Sequence, residues 1–257
     1  MVGRAHGHLL RVLRGGRVAA ARVQHSRTMS KSRDRSKPDS AQRSFVLGKR
    51  LLNAGASADG RKTGVRLLQD AAARGHVLAH VWLGAVYDYG LGVRPNRRVA
   101  LRHYQLAAKS GHPNAAYHVG VFYYEGRGVR RNYRTAILWL EKASRLGDAT
   151  ATYLLGMCYR YGRGVPSNPR RGFRLQLSAA RKGELEAQFS VGVCFRIGDG
   201  VRPNPRSAFK WFLLAARRGH RDAAHNLAVL YSKGLGTSQS VRRARLWQRR
   251  AEVRGAG

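Results

Sequence analysis

A 36-residue period runs through most of this chain, and no insertion or deletion interrupts it. Glycines mark the period most clearly, because four separate columns keep the same phase from one unit to the next. One column consists of Gly84, Gly120, Gly156 and Gly192, and the other three begin at Gly75, Gly90 and Gly92. A period of this length is typical of stacked architectures in which each repeat is one supersecondary unit.

Within a unit, the spacing of apolar residues predicts two helices. In the unit that starts at Ala79, apolar side chains recur at helical intervals as far as Tyr87. Gly90 and Gly92 then end the helix, because glycine readily adopts the positive φ of a C-terminal cap. Asn96 is placed to cap the second helix. Asn132, Asn168, Asn204 and Ser240 stand in the same column.

The mid-helix glycine column requires a packing explanation. Glycine inside a helix costs about 1 kcal/mol relative to alanine. Gly84 and its equivalents therefore predict that the partner helix approaches closely at that point. Larger side chains such as Tyr87, Trp139, Trp211 and Trp247 are predicted to fill the space between units.

The combined pattern resembles the Sel1-like repeat, a relative of the tetratricopeptide repeat. The resemblance is clear over residues 79–257 and weak over 43–78, and asparagine stands where the family usually has aspartate at the cap. It implies an all-α fold, a right-handed α-solenoid of about six two-helix 36-residue repeats. It also implies a non-enzymatic adaptor. The matching residues of one unit are Ala151, Leu155, Gly156, Tyr159, Gly162, Gly164, Val165, Asn168, Ala179, Ala180 and Gly183.

The repeat pattern divides the chain into three segments. Residues 1–42 form a basic N-terminal targeting or disordered segment, residues 43–78 a degenerate first repeat, and residues 79–257 five full repeats. The N-terminal segment is rich in arginine and has no acid before residue 34, as in a mitochondrial transit peptide. We expect a mitochondrial location if the source is eukaryotic and residues 1–28 are translated, and a cytoplasmic one otherwise. Translation from Met29, or a basic disordered tail, are the alternatives.

The charge of the chain is strongly positive. Lys and Arg total 49 and Asp and Glu total 13, which gives a net charge of +36. Such a surface attracts acidic proteins, nucleic acids or anionic membranes. Compositional drift in a GC-rich genome is an alternative origin for the arginine excess. No apolar run approaches the roughly 18 residues of a transmembrane helix.

One basic column is the strongest candidate for a binding surface. It falls in the first turn of each predicted second helix, where the helix dipole already disfavours a cation. Stacking would align these side chains at intervals of roughly 10 Å. The column therefore predicts an anion-binding stripe, and a solvated face partly paired with acids is the alternative. Its members are Arg98, Arg134, Arg170, Arg206 and Arg242.

Four aromatic residues are candidate anchors for a partner, or else belong to the packing between repeats. They are Trp82, Tyr89, Tyr124 and Tyr161.

The sequence contains no pattern that indicates catalysis or a resident cofactor. His76, His112 and His220 share one column but lie in different units, so they cannot converge on one metal ion. Cys158 and Cys194 are predicted to be buried free thiols, because neighbouring helix axes are too far apart for a disulfide. We therefore expect no enzyme activity, no cofactor and no metal.

The function predicted from these observations is a scaffold that binds an acidic protein or peptide in assembly or signalling. The alternative is a factor that binds RNA or the ribosome through phosphate contacts with the arginine stripe. End-to-end self-association is a further expectation, because no separate capping helix follows the repeat that contains Trp247.

Overall fold

A computed structural model describes residues 40–52 and 56–252. These residues form twelve helices and no strand, which confirms the all-α prediction. Most of the basic segment predicted for residues 1–42 lies outside the described residues. The helices are α1 (Ser40–Leu51), α2 (Ala58–Ala73), α3 (Val77–Tyr89), α4 (Arg97–Lys109), α5 (Pro113–Glu125), α6 (Tyr133–Arg145), α7 (Ala149–Tyr161), α8 (Pro169–Arg181), α9 (Leu185–Ile197), α10 (Pro205–Arg217), α11 (Arg221–Lys233) and α12 (Val241–Glu252).

Each repeat consists of an odd-numbered first helix and an even-numbered second helix. Every helix packs against the helices that precede and follow it in the chain, so the repeats stack in sequence order. The buried core is shared between repeats, since one apolar cluster extends from Ala100 in α4 to Tyr159 in α7. This arrangement is the predicted solenoid, in which no repeat could bury its apolar faces alone.

The ends of the helices follow the predicted caps. The Asn96 side chain accepts a hydrogen bond from the Val99 N–H at 3.1 Å, and the other three asparagines of the column cap their helices in the same way. Gly90 ends α3 in the left-handed conformation, with φ of 73°. The Asn96 N–H also donates to the Tyr87 carbonyl at 2.7 Å, which closes the loop between the two helices.

The mid-helix glycines provide room for a large side chain of the second helix. A Cβ atom added to Gly84 would lie 2.6 Å from the Tyr104 ring, and one added to Gly192 would lie 2.7 Å from the Phe212 ring. Both rings are fully buried. A Cβ added to Gly156 would lie 2.9 Å from the Gly172 carbonyl oxygen, which confirms the predicted close helix approach there. At Gly84 and Gly192, burial of the ring offsets the helix-propensity cost of glycine.

The second glycine of each Gly-x-Gly loop joins adjacent repeats. A Cβ added to Gly164 would lie 2.6 Å from the Tyr133 Cβ and 3.0 Å from the Arg134 nitrogen. Its φ of 77° is also one that glycine adopts most easily. Each loop therefore rests on the first turn of the second helix in the preceding repeat.

Helix α12 differs from the other second helices in its outward face. Leu101, Ile137, Phe173 and Phe209 occupy one column and are buried or half-buried, whereas α12 has the exposed Arg245 at that position. Trp247 is the buried residue of α12. Arg245 therefore gives this face of α12 a charged side chain where the preceding second helices carry an apolar one.

Candidate binding site along the loop edge

One edge of the stack is built from the end of each first helix, the Gly-x-Gly loop and the start of each second helix. We call this surface the loop edge. Because the loops are short and their caps repeat, the same chemical positions recur at this edge once per repeat. It comprises residues 86–98, 122–134, 158–170, 194–206 and 230–242.

The arginine stripe lies along this edge. Each of its five residues is the second residue of its helix, and all five side chains are exposed. None of them forms an ion pair with another residue in the part of the chain that the structure describes. Lys62 is in phase with the stripe but lies five residues into α2, where it bonds to Asp59 at 3.4 Å. The stripe therefore begins at Arg98.

Charges at these helix starts are unbalanced. The first turns of α4, α6, α8, α10 and α12 contain no acid. The free N–H groups of a helix start carry a partial positive charge, and each stripe arginine adds a full one. The alternative in which the stripe is paired with acids is therefore not seen among the described residues. The arrangement favours binding of an anion.

The acids of the loop edge are already engaged. The Arg127 Nη2 donates to both oxygens of Asp88, at 2.6 and 2.8 Å, and the Arg127 Nε lies 3.9 Å from the Glu125 carboxylate. Arg160 Nε donates to Asp199 at 2.5 Å. Within the described ranges, these pairs leave no acid of the loop edge in an ion pair with the stripe.

Those two pairs belong to a series of side-chain contacts between adjacent repeats, which we call the ladder and which the sequence alone did not reveal. Its partners are separated by 39 residues, one repeat plus three, so each rung joins the end of one first helix to the next Gly-x-Gly loop. The rungs are Asp88–Arg127, Tyr124–Arg163 and Arg160–Asp199. The charges are reversed in the last rung, so no single column shows a constant residue type. A comparison of two columns at this offset is the signal that reveals it.

Three of the four candidate aromatic anchors lie on the loop edge. Tyr89 is half-buried and lies near the charges of Asp88 and Arg127. Tyr124 is half-buried and accepts a hydrogen bond from Arg163. Burial raises the pKa of both tyrosines above its ordinary value. Tyr161 is the most exposed of the set, at 52%.

Trp82 lies apart from the other three. It packs against the core of the first two repeats, and the Lys49 ammonium lies 5.3 Å from its ring centre. Its position fits the alternative role of the four aromatic residues, which is packing between repeats.

The opposite edge of the stack has basic residues with a structural explanation. Lys109, Arg145, Arg181 and Arg217 lie in the last turns of second helices, where a cation stabilises the exposed carbonyl groups. Arg218 Nη1 donates to the Gly183 carbonyl at 2.6 Å. This edge therefore differs from the loop edge, whose cations oppose the helix dipole.

The histidine column has a capping role. The Nδ1 atoms of His76, His112 and His220 accept hydrogen bonds from backbone N–H groups at 3.2 to 3.3 Å, at the starts of α3, α5 and α11. The spacing of these histidines argues against a shared metal site, but it does not indicate this capping role. Among the described residues, no group of three metal-ligating side chains comes together.

Other titratable groups lie inside the repeats. The Nδ1 atoms of His80 and His103 are 3.0 Å apart. Burial, followed by the neighbouring His80 and Arg102, lowers the pKa of His103 to about 4. Cys158 and Cys194 are buried free thiols, as predicted, and burial raises the pKa of each to about 11. No helix in the described part is long and apolar enough to cross a membrane.

Family and structure comparisons agree with this architecture. The family model for the Sel1 repeat matches residues 77–112, 113–148, 149–184, 185–220 and 221–251. Sel1 repeat proteins generally act as protein-interaction scaffolds, and the family is typically non-catalytic. Comparison with functionally curated proteins finds no match.

Three solved structures illustrate the likeness. A Sel1 repeat protein from Oxalobacter formigenes is 27% identical with a TM-score of 0.73, over 84% of this chain and 82% of that one. A protective antigen of uropathogenic Escherichia coli with an SLR fold is 26% identical with a TM-score of 0.75, over 82% of this chain but only 45% of that one. The immunity protein PA5088 from Pseudomonas aeruginosa shares the fold at 23% identity and a TM-score of 0.54, over 84% of this chain and 82% of that one. With five consecutive repeats matched over most of its length, the chain belongs to the Sel1 repeat family.

Proposed function

We propose that this protein is a non-enzymatic scaffold that binds an acidic protein or peptide segment along the loop edge. The observation that carries the proposal is the arginine stripe. Its five side chains are exposed, occur once per repeat and have no acidic partner among the described residues. A segment with carboxylates spaced along its length matches this regular array.

Helix dipoles add to the attraction. A carboxylate placed at a helix start gains about 0.3–1 kcal/mol from the dipole alone at an exposed site. Five starts in a row give a repeated contribution, and each arginine can add a charge-assisted hydrogen bond. Screening by salt limits both effects, so we expect the affinity to fall as ionic strength rises.

The experiment compares two variants with equal loss of charge. One replaces Arg98, Arg134, Arg170 and Arg206 with Gln on the loop edge. Its matched control replaces Lys109, Arg145, Arg181 and Arg217 with Gln on the opposite edge. Binding of a fluorescein-labelled, glutamate-rich peptide is measured by anisotropy at several salt concentrations.

The proposal predicts that the stripe variant loses at least tenfold in affinity, equivalent to about 1.4 kcal/mol. The control variant is expected to bind much as the natural protein does. Equal losses in both variants would show that only net charge matters. A parallel titration with single-stranded RNA tests the alternative function, because RNA binding that exceeds peptide binding and depends on the stripe would favour a nucleic-acid factor.

A further inference from the structure

The loop edge is not uniform, and its central part combines arginine with exposed apolar side chains. Tyr161 ends α7 and Ile197 ends α9, and the two occupy the same column in adjacent repeats. Tyr161 is 52% exposed and Ile197 is 54% exposed. We call Tyr124, Tyr161, Arg163 and Ile197 the tyrosine platform.

The platform is held in place by the ladder between repeats. The Arg160–Asp199 pair, at 2.5 Å, joins the residue before Tyr161 to the loop that follows Ile197. The Arg160 side chain is 7% exposed and that of Asp199 is 24% exposed, so this pair is partly shielded from solvent and links the two repeats. The pair therefore connects the backbone beside Tyr161 to the backbone beside Ile197.

Arg163 is oriented by the two tyrosines beside it. Its guanidinium carbon lies 5.5 Å from the Tyr124 ring centre and 5.7 Å from the Tyr161 ring centre, and it donates to the Tyr124 hydroxyl. Cation–π contacts of this kind hold the guanidinium without neutralising it. Arg163 remains exposed, so it can still meet an anion.

The platform adjoins the arginine stripe. Tyr124 packs edge-on against Tyr133, with ring centres 5.2 Å apart. Tyr133 precedes Arg134, and Gly164, which follows Arg163, rests on both of them. A ligand that reaches Arg134 is therefore close to Arg163 and the exposed tyrosine.

From this juxtaposition we propose that the tyrosine platform recognises an acidic segment that also carries a large apolar or aromatic side chain. The carboxylates meet Arg134 and Arg163, and the apolar side chain covers Tyr161 and Ile197. Rigid tyrosine rings bury contact area with little loss of side-chain entropy, which suits them to anchor a partner. This inference rests on the proposed function and adds the identity of the preferred segment.

The test uses two peptides of equal length and charge, one with only glutamate and glycine, the other with phenylalanine in place of some glycines. The variant is Tyr161→Ser with Ile197→Ser. The control is Leu78→Ser with Leu146→Ser, which changes two residues that are each 43% exposed and lie near the opposite edge. Circular dichroism and thermal unfolding verify that the variants remain folded.

We expect the natural protein and the control to bind the phenylalanine peptide about tenfold more tightly than the glycine peptide. The platform variant should lose that preference and keep its affinity for the glycine peptide. If both peptides bind equally to the natural protein, this inference is wrong and the proposed function stands. If neither peptide binds, both are wrong. If single-stranded RNA binds more tightly than either peptide and this preference disappears in the platform variant, the inference is also wrong. The platform would then stack on nucleic-acid bases.

Discussion

The Arg127 guanidinium bonds to both carboxylate oxygens of Asp88, a residue of the preceding repeat whose side chain is 1% exposed. The pair therefore fixes the register between the second and third repeats at a buried point. Removal of Asp88 leaves the Arg127 guanidinium, which is 21% exposed, beside the more distant Glu125. The same connection recurs two repeats later with the charges exchanged, between Arg160 and Asp199.

We predict that Asp88→Ala lowers the free energy of unfolding by roughly 3 kcal/mol. The exchange of both charges, Asp88→Arg with Arg127→Asp, should recover part of that loss, because the other rung already has this polarity. Urea denaturation of the single and double variants measures both effects. An exchange variant no more stable than Asp88→Ala would show that the pair does not set the register.

A second prediction concerns the mid-helix glycines. Gly192→Ala should lower the free energy of unfolding by about 1–3 kcal/mol, because the new methyl group meets the buried Phe212 ring. Phe212→Leu combined with Gly192→Ala should show favourable coupling in a double-mutant cycle. If Gly192→Ala instead stabilises the protein by about 1 kcal/mol, the helix propensity of alanine outweighs the clash with Phe212, and the close approach is wrong.

The paired histidines predict a dependence of stability on pH. The pKa values of His80 and His103 are lowered in the folded state, chiefly by burial. Between pH 6.5 and about 4 the unfolded chain therefore binds more protons than the folded one, so stability falls as the pH drops through this range. Above pH 6.5 this contribution is fully present.

His103→Leu should weaken this dependence, and Leu175 already occupies the same column two repeats later. The measurement is the urea midpoint at several pH values between about 7.5 and 5.5, since carboxylates contribute below that range. His225→Gln is the control, since His225 is exposed. An unchanged pH dependence in His103→Leu would contradict the assignment.

The polar face of α12 leads to a prediction about self-association. Arg245 stands where internal second helices carry buried or half-buried apolar residues. Arg245→Leu with Arg249→Leu should therefore create an apolar face on α12 and increase self-association above that of the natural chain. Sedimentation velocity at several concentrations measures this. Association of the natural chain to the same extent would show that the two arginines do not limit contact through this face.

Much of the fold follows from the sequence because its signals repeat. The asparagine caps, the left-handed glycines and the Gly84–Tyr104 approach all arise from columns of constant residue type. The ladder could not be found in this way, because Asp88 and Arg160 share a column but have opposite charges. The ion pair between adjacent repeats recurs, but the acidic and basic residues exchange columns.

The site is only partly predictable for a similar reason. The periodicity places Arg98 and its equivalents at helix starts, but it does not reveal which acids are already engaged. Nor does it separate Tyr161, which is exposed, from Trp82, which packs against the core. Exposure depends on the neighbouring repeat, and a single column does not describe that neighbour.

The most direct test of the binding edge is the shift in melting temperature caused by a glutamate-rich peptide. The variant replaces Arg98, Arg134, Arg170 and Arg206 with Glu, and each change should stabilise its helix start by about 0.3–1 kcal/mol. The account predicts that the natural protein melts higher with peptide, whereas the variant melts higher without it and does not respond. A natural protein unaffected by saturating peptide, or a variant that responds equally, would contradict the account.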